Sequence, residues 1–430
     1  MIQRPLISGM AILALAPILT LSFPRTAPAD EHVDETRTFT AERVFDLEYG
    51  DDPQISPNGE TIVYVRRSMD RLSDRIRGDL WTLDVDSGAH RPLVVGGASA
   101  TNPRWSPNGD RLLYTTTAEG RPELRLLFLD SGQGMALAQF TEAPRQATWS
   151  PDGSTIAFAM FVKGEAPSFS TPLTAPEGAS WSEPVRVFDD ITFRFDGQGY
   201  LSAGETQVFT IPAEGGTPRQ VTRGDGGYDQ PAWLKGGTLV VTGNPNEDRD
   251  LDPIESDLFA VDLASLEMTR LTDRDGPDNS ATPSPDGSLI AYLGYDDELK
   301  SWQQTRLYIM NADGSGSRQL ATNFDREFGD LAWRADGRAL YALREILERG
   351  IEPFAQRLGT MVEQHFRILG QVENNHTVLV GRVGGNGYHH TGIAVVTAIH
   401  PGGMEDRCHL LQVDVLEDFI LAPQFVKKIV

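Results

Sequence analysis

A single turn motif, returning at nearly constant intervals, constrains this chain more than any other feature. Pro53-Gln54-Ile55-Ser56-Pro57-Asn58-Gly59 leads into the apolar run Thr61-Ile62-Val63-Tyr64-Val65. The same arrangement returns at Pro103-Arg104-Trp105-Ser106-Pro107-Asn108-Gly109 and at Ala147-Thr148-Trp149-Ser150-Pro151-Asp152-Gly153. A degenerate copy, Pro231-Ala232-Trp233-Leu234-Lys235-Gly236-Gly237, precedes Ser284-Pro285-Asp286-Gly287 and Leu331-Ala332-Trp333-Arg334-Ala335-Asp336-Gly337. The final glycines, 59, 109, 153, 237, 287 and 337, lie 50, 44, 84, 50 and 50 residues apart. Such a period, about 45 to 50 residues, is that of a four-stranded propeller blade.

Each copy has a local physical reading. Pro presets φ and the Asn/Asp-Gly pair accepts the backbone of a tight hairpin, so the flanking apolar residues become two strands. The Trp before the turn can fill the space between neighbouring blades. A second hairpin follows in most repeats: Asp79–Val85 before Ser87-Gly88, Glu123–Phe128 before Ser131-Gly132, Gln207–Ile211 before Gly215-Gly216, Asp257–Val261 before Leu266 and Arg306–Met310 before Gly314. Closing strands follow at Arg219–Thr222, Arg270–Thr272 and Arg318–Leu320. Their period-two alternation marks strands packed between blades. The expected fold is therefore all-β, a propeller of four-stranded blades over about residues 38–343, with five blades and half of a sixth visible.

The 84-residue interval holds an insertion in the third blade, about residues 162–204. It is rich in Pro, Ser and Gly as far as Pro184. Beyond that, Val185–Asp190 and Ile191–Gly197 read as strand-like.

The first 29 residues read as a secretory signal: Arg4, an apolar stretch from Leu6 to Leu21 broken by Pro17, and Ala27-Pro28-Ala29 ahead of Asp30. The apolar stretch is short of the roughly 20 residues a membrane span needs. The expected product is exported, periplasmic or extracellular, with no membrane span after cleavage. With 38 basic against 61 acidic residues the net charge is −23, which repels nucleic acid and anionic lipid. Cys408 is the only cysteine, so no internal disulfide forms.

These repeats resemble the propellers of the prolyl oligopeptidase family of serine peptidases, in its dipeptidyl-peptidase and acylaminoacyl-peptidase branch. They also resemble TolB-type periplasmic propellers, which share the blade motif. Two segments point to the peptidases: Phe39–Leu47 leading into Pro53–Pro57, and Phe193-Arg194-Phe195-Asp196-Gly197-Gln198-Gly199-Tyr200 in the enlarged blade. The resemblance implies seven blades capping an α/β-hydrolase domain and limiting which peptides reach its active site. It nominates Arg194, Asp196 and Tyr200 as residues facing a peptide substrate; an Arg–Asp pair that merely holds the loop together is the alternative.

The hydrolase domain needs a Gly-x-Ser-x-Gly elbow to present its serine. No such elbow occurs; Gly314-Ser315-Gly316-Ser317 lies in a blade hairpin with the wrong spacing. The stretch after the last repeat is also less than half of the roughly 200 residues such a domain takes. No catalytic residue is therefore nominated, no cofactor is implied, and the chain alone is expected to be inactive, its ring open or strained with exposed strand edges. The rival expectation is a TolB-like module that binds a protein partner.

Composition changes near Leu343. Six of the eight histidines, His365, His376, His389, His390, His400 and His409, lie beyond it with Cys408, while none of the seven tryptophans does. Residues 344–430 read as a divergent tail, with part of 344–369 helical and strands at Thr377–Val380 and Thr391–Val396. Three readings stay open: a transition-metal site, a small independent domain, or a coding end foreign to the family. The histidine spacings fit no zinc pattern. Asn244, Asn246, Asp248, Asp250, Asp252 and Glu255 are spaced like a calcium loop, yet Arg249 stands where the turn requires Gly. No metal site is nominated there either.

Overall fold

The computed structural model describes residues 40–344, apart from 172, 183, 184, 323 and 325, and the backbone of strands at 376–385 and 388–397. The chain divides into two units, Met1–Arg43 and Val44–Val430, and the repeats all lie in the second. The candidate signal at 1–29, the expected helix in 344–369, and His365, His400, Cys408 and His409 lie outside the described residues.

Five antiparallel four-stranded blades follow one another. They comprise β1 (Glu48–Ile55) to β4 (His90–Val94) with β2 (Thr61–Asp70) and β3 (Arg75–Asp84); then β5 (Thr101–Trp105), β6 (Arg111–Ala118), β7 (Arg121–Phe128) and β8 (Gly134–Gln139). The third blade joins β9 (Arg145–Trp149) and β10 (Thr155–Lys163) to β13 (Gly204–Pro212) and β14 (Arg219–Gln220). The fourth holds β15 (Tyr228–Trp233), β16 (Leu239–Gly243), β17 (Asp257–Val261) and β18 (Met268–Arg270). The fifth holds β19 (Asp278–Pro283), β20 (Leu289–Gly294), β21 (Arg306–Asn311) and β22 (Arg318–Gln319). Half of a sixth follows, β23 (Phe328–Trp333) with β24 (Leu340–Arg344), and β25 (His376–Gly385) pairs with β26 (Tyr388–Thr397) as a separate hairpin.

Alternation along each strand divides its side chains between the two neighbouring blades. In β10, Ile156 and Phe158 pack on the second blade with Leu113, Leu124 and Leu126, whereas Ala157 packs on the fourth. In β16, Leu239 and Val241 face the third blade and Val240 the fifth. The hydrophobic core is thus mainly a series of slabs between successive sheets, with a smaller cluster, Ile62, Leu83 and Val85, inside the first blade.

The repeat motif ties those slabs in register. Trp105 Nε1 donates to the carbonyl of Gln54 at 3.0 Å, Trp149 to Arg104 at 3.1 Å, Trp233 to Thr148 at 3.3 Å and Trp333 to Thr282 at 2.8 Å. Each acceptor sits one residue before the matching position of the preceding blade. The fifth blade has Pro283 in place of Trp. Gln230 Oε1 there accepts the Ser280 amide at 2.7 Å, a substitute tie between blades four and five. The turns nest as well: a Cβ on Gly287 would lie 2.5 Å from Lys235 Cβ, in the one turn whose predecessor lacks Pro.

The first strand of every blade carries a bulge before the turn. Asp52, Asn102, Gln146, Gln230 and Ser280 occupy positive φ there, a backbone region costly for side-chain-bearing residues. Inter-blade bonds hold the bulges: Arg104 Nη1 donates to both carboxylate oxygens of Asp52 at 3.0 and 2.8 Å, and Gln146 Oε1 accepts the Gln230 amide at 2.8 Å.

The segment Val185–Asp190 is irregular rather than a strand. Val185 is exposed and no neighbouring strand offers it a ladder, so its apolar alternation has nothing to pair with.

Candidate functional site

Residues 164–203 leave the third blade between its second and third strands. The excursion closes at its base where Gly164 N donates to the Ala203 carbonyl at 2.9 Å. Gly204 makes that approach feasible: its φ is +136°, and a Cβ would lie 2.2 Å from the Val162 carbonyl oxygen. Near the far end, β11 (Arg194–Phe195) pairs with β12 (Gly199–Tyr200) across a turn containing Gly197.

The three nominated residues occupy this hairpin. Arg194 and Asp196 stand 3.8 Å apart with both side chains exposed, an ion pair in solvent rather than a hydrogen bond. Tyr200 is opposite Arg194 in register, but its ring joins an aromatic group instead. It stacks on Phe188 with centroids 5.3 Å apart and on Phe193 at 6.4 Å, and the Arg186 guanidinium lies 5.7 Å from its centroid. The hairpin therefore presents an aromatic surface beside a charged pair, and no pair of groups in it is placed for proton transfer.

Within each antiparallel blade, the second-to-third-strand connection and the linker to the next blade lie at the same end of the sheet. The tryptophan ties keep successive blades in one orientation, so these connections share a face. Leu72 in the 71–74 turn, Leu251 and Ile254 in the 244–256 connection, and Leu299 and Trp302 in the 295–305 connection are all exposed. The insertion adds Phe169, Leu173, Trp181, Ile191, Phe193 and Tyr200. Exposed apolar side chains gathered on one face of a sheet assembly are the kind of surface from which interaction sites are built. At the opposite end, the Ser-Pro-Asn/Asp-Gly turns are polar. The repeat spacing marks the insertion, whereas Leu72, Leu251, Leu299 and Trp302 lie outside the repeated motif. The available signal was an apolar residue inside an otherwise polar connection whose face the strand order fixes.

Acidic groups surround the apolar tips. The 244–256 connection holds Glu247, Asp248, Asp250, Asp252 and Glu255 against Arg249. Burial pushes the Glu205 carboxyl up, opposed by the Gly226 amide and Arg249 and reinforced by Asp225 and Asp190. Burial likewise raises Asp229, opposed by Gln146 and Arg145. Among the described residues no cluster of three or more His, Cys, Asp or Glu is arranged to hold a metal, and no helix is long and apolar enough to cross a membrane. The Asn244–Glu255 segment closes on itself, with Asn244 Nδ2 donating to the Asp252 carbonyl at 3.1 Å.

Several peptidases are similar to this chain. The uncharacterized peptidase YuxL of Bacillus subtilis is 26% identical over 201 residues, 46% of this chain and 30% of that protein. Dipeptidyl-peptidase 5 of Porphyromonas endodontalis is 21% identical over 338 residues, 72% of this chain and 46% of that protein. The chain thus spans less than half the length of either relative. The uncomplexed acylaminoacyl peptidase of Pyrococcus horikoshii shares the fold with a TM-score of 0.56 at 15% identity, over 83% of this chain and 53% of that one. The family PD40, described as the TolB beta propeller domain, matches residues 62–333. That match takes in four of the six turn motifs and all four of the tying tryptophans, Trp105, Trp149, Trp233 and Trp333, and the chain belongs to this TolB beta propeller family.

Proposed function

We propose that these residues form the propeller of an exported serine peptidase that removes short N-terminal units from peptides, and that the propeller gates substrate access. The observation that carries this reading is the apolar face built by the insertion and the tips Leu251, Leu299 and Trp302, a surface suited to covering another domain. Peptidase relatives aligned to the propeller support it, and the signal-like residues 1–29 support export. On this reading Arg194, Asp196 and Tyr200 line the substrate path. The nucleophile comes from an α/β-hydrolase domain that is not among these 430 residues, since Gly-x-Ser-x-Gly occurs nowhere in them.

The match to the TolB beta propeller domain over residues 62–333 favours a second reading, a TolB-like module that binds a protein partner. Assays with dipeptidyl and acyl-aminoacyl chromogenic substrates separate the two. The chain alone should give no turnover, whereas a complex captured with it from its host should give turnover that a serine-directed phosphonate abolishes. Capture of an envelope protein without phosphonate-sensitive turnover would replace the peptidase reading with the binding module.

A further inference from the structure

Blades four and five meet along a seam that buries more carboxyl groups than guanidinium groups. Asp257, at the start of β17, and Asp278, at the start of β19, are 0% and 1% exposed. Arg274 Nη2 donates to Asp278 Oδ1 at 2.7 Å, while Asp278 Oδ2 is buried with no partner. Asp257 is held by Arg270 through Oδ2 and by Thr272 Oγ1 through Oδ1, the latter at 2.9 Å.

The charged and titratable groups coupled to Asp278 and its neighbours come from several elements. The 271–277 linker gives Arg274, Thr272 and Asp273; β17 and its approach give Asp257 and Glu255; β18 gives Arg270. Tyr292 of β20, Tyr308 of β21 and Asp296 of the 295–305 connection complete the set. Arg274 is divided among them: its guanidinium lies 3.8 Å from the Tyr308 ring centroid, 3.3 Å from Tyr292 OH and 3.6 Å from Asp296. Facing Asp278 Oδ1 is Gly294, whose missing side chain supplies no further donor. With Glu255, Asp257 and Asp278 against Arg270 and Arg274, full ionisation leaves the seam with a net negative charge.

Backbone ties across the seam depend on these residues staying put. Asp278 N donates to the Ser256 carbonyl at 2.7 Å, Gly276 N to Glu255 Oε2 at 2.5 Å, and Asp297 N to the Asp275 carbonyl at 2.8 Å. The linker is thereby clasped between the 244–256 and 295–305 connections.

We propose that the seam is a proton-operated latch: a proton on Asp278 Oδ2 holds the linker against blade four, and its loss to solvent frees the linker and the two connections it ties. Ionised Asp278 keeps Arg274 on Oδ1, but its Oδ2 is desolvated with no donor, a cost that protonation removes. Burial pushes the Asp278 carboxyl up to about 7, with Arg274 and the Thr272 hydroxyl opposing and Asp257 adding to the rise. A carboxyl raised above its unfolded value stabilises the closed seam fully below that unfolded value, and the contribution is lost as pH rises through about 7. The connections involved carry Leu251, Leu299 and Trp302, so the latch governs the geometry of the apolar face. This inference stands independently of the peptidase reading.

Amide hydrogen exchange on the full chain at pH 5.5 and 8, corrected for intrinsic rates, tests the latch. Protection of the Gly276, Asp278 and Asp297 amides should fall at least about tenfold more than that of β6 and β7 amides, the effect of one unit of pKa displacement. In Asp278→Asn that difference should vanish. Equal protection at both pH values in the wild type, or an unchanged difference in Asp278→Asn, would overturn the latch. Should Asp278→Asn not fold, Asp257→Asn serves. Removing the neighbouring carboxylate should move the midpoint to lower pH, and an unmoved midpoint would equally overturn it.

Discussion

Trp149 Nε1 donates to the Arg104 carbonyl at 3.1 Å, one residue before the tryptophan that holds the same place in the preceding blade. The bond joins two repeats through the residue that defines the repeat. Its indole is also buried in the slab between blades two and three, with the Arg111 guanidinium 5.0 Å from its ring. Trp149→Phe keeps most of the buried area but takes the indole donor from the Arg104 carbonyl, and should cost about 0.5–1.5 kcal/mol. Trp149→Ala, which also opens a cavity, should cost about 3–5 kcal/mol. Urea midpoints should fall in the order wild type, Trp149→Phe, Trp149→Ala; a Trp149→Phe midpoint equal to the wild type's would mean the hydrogen bond contributes nothing.

Where Pro283 interrupts the tryptophan series, Gln230 is the tie. Its Oε1 accepts the Ser280 amide at 2.7 Å and also lies 3.4 Å from Thr242 Oγ1. Gln230→Ala should cost about 1–3 kcal/mol by orphaning the Ser280 amide. The loosening should be local. Hydrogen exchange should speed up at the Ser280 amide and leave the blade 2–3 boundary unchanged, and a uniform increase across all blades would contradict a local tie.

The architecture was largely legible because a propeller blade is a short-range object repeated. Turn chemistry at Ser150-Pro151-Asp152-Gly153 and alternation in Ile156–Phe158 are local, and both sit in the structure where the sequence places them. Residues whose roles come from two repeats meeting were not legible. Nothing near Asp278 in sequence announces that its Oδ2 is orphaned by the packing of blade four, nor that Gln230 replaces a missing indole. In the insertion, Tyr200 was nominated beside Arg194 and Asp196, yet its ring turns to Phe188 and Arg186, partners that lie upstream in an irregular stretch.

Gly204 should tolerate no side chain. Its φ of +136° disfavours L residues, and a Cβ there would lie 2.2 Å from the Val162 carbonyl oxygen. Backbone strain of this kind costs about 1–3 kcal/mol before the overlap is relieved. Gly204→Ala should therefore lower thermal stability and expose the 164–203 excursion to limited proteolysis. A variant that melts and digests like the wild type would show that the base of the insertion is not fixed by this contact.

The exposed tips should be separable from stability. Trp302 and Leu299 project from the 295–305 connection with little burial, so Trp302→Ala and Leu299→Ala should each change stability by less than about 0.5 kcal/mol. If this face covers a partner domain, the double variant should still weaken capture of phosphonate-sensitive peptidase activity from the host. Unaltered capture would remove these tips from the interface.

Acid should attack the turns first, through a carboxylate that the repeat itself replaces by an amide elsewhere. Asp286 Oδ1 accepts from Ser284 Oγ at 2.6 Å and from the Ser288 amide at 3.0 Å. Those bonds, the Ser284 hydroxyl foremost, hold its carboxyl down at about 2. A carboxyl lowered below its unfolded value contributes stability that is present above that unfolded value and is lost as pH falls through about 2. Asn58 fills the same place in the first blade, where its Oδ1 accepts Ser56 Oγ at 2.6 Å. Asp286→Asn should therefore fold like the wild type at pH 7 and show a flatter loss of stability between about pH 4 and 2. Thermal melts across that range decide the matter. An acid limb as steep in Asp286→Asn as in the wild type would mean that acid attacks the fold elsewhere, with Asp152, which makes the same bonds in the third blade, the next residue to exchange for Asn.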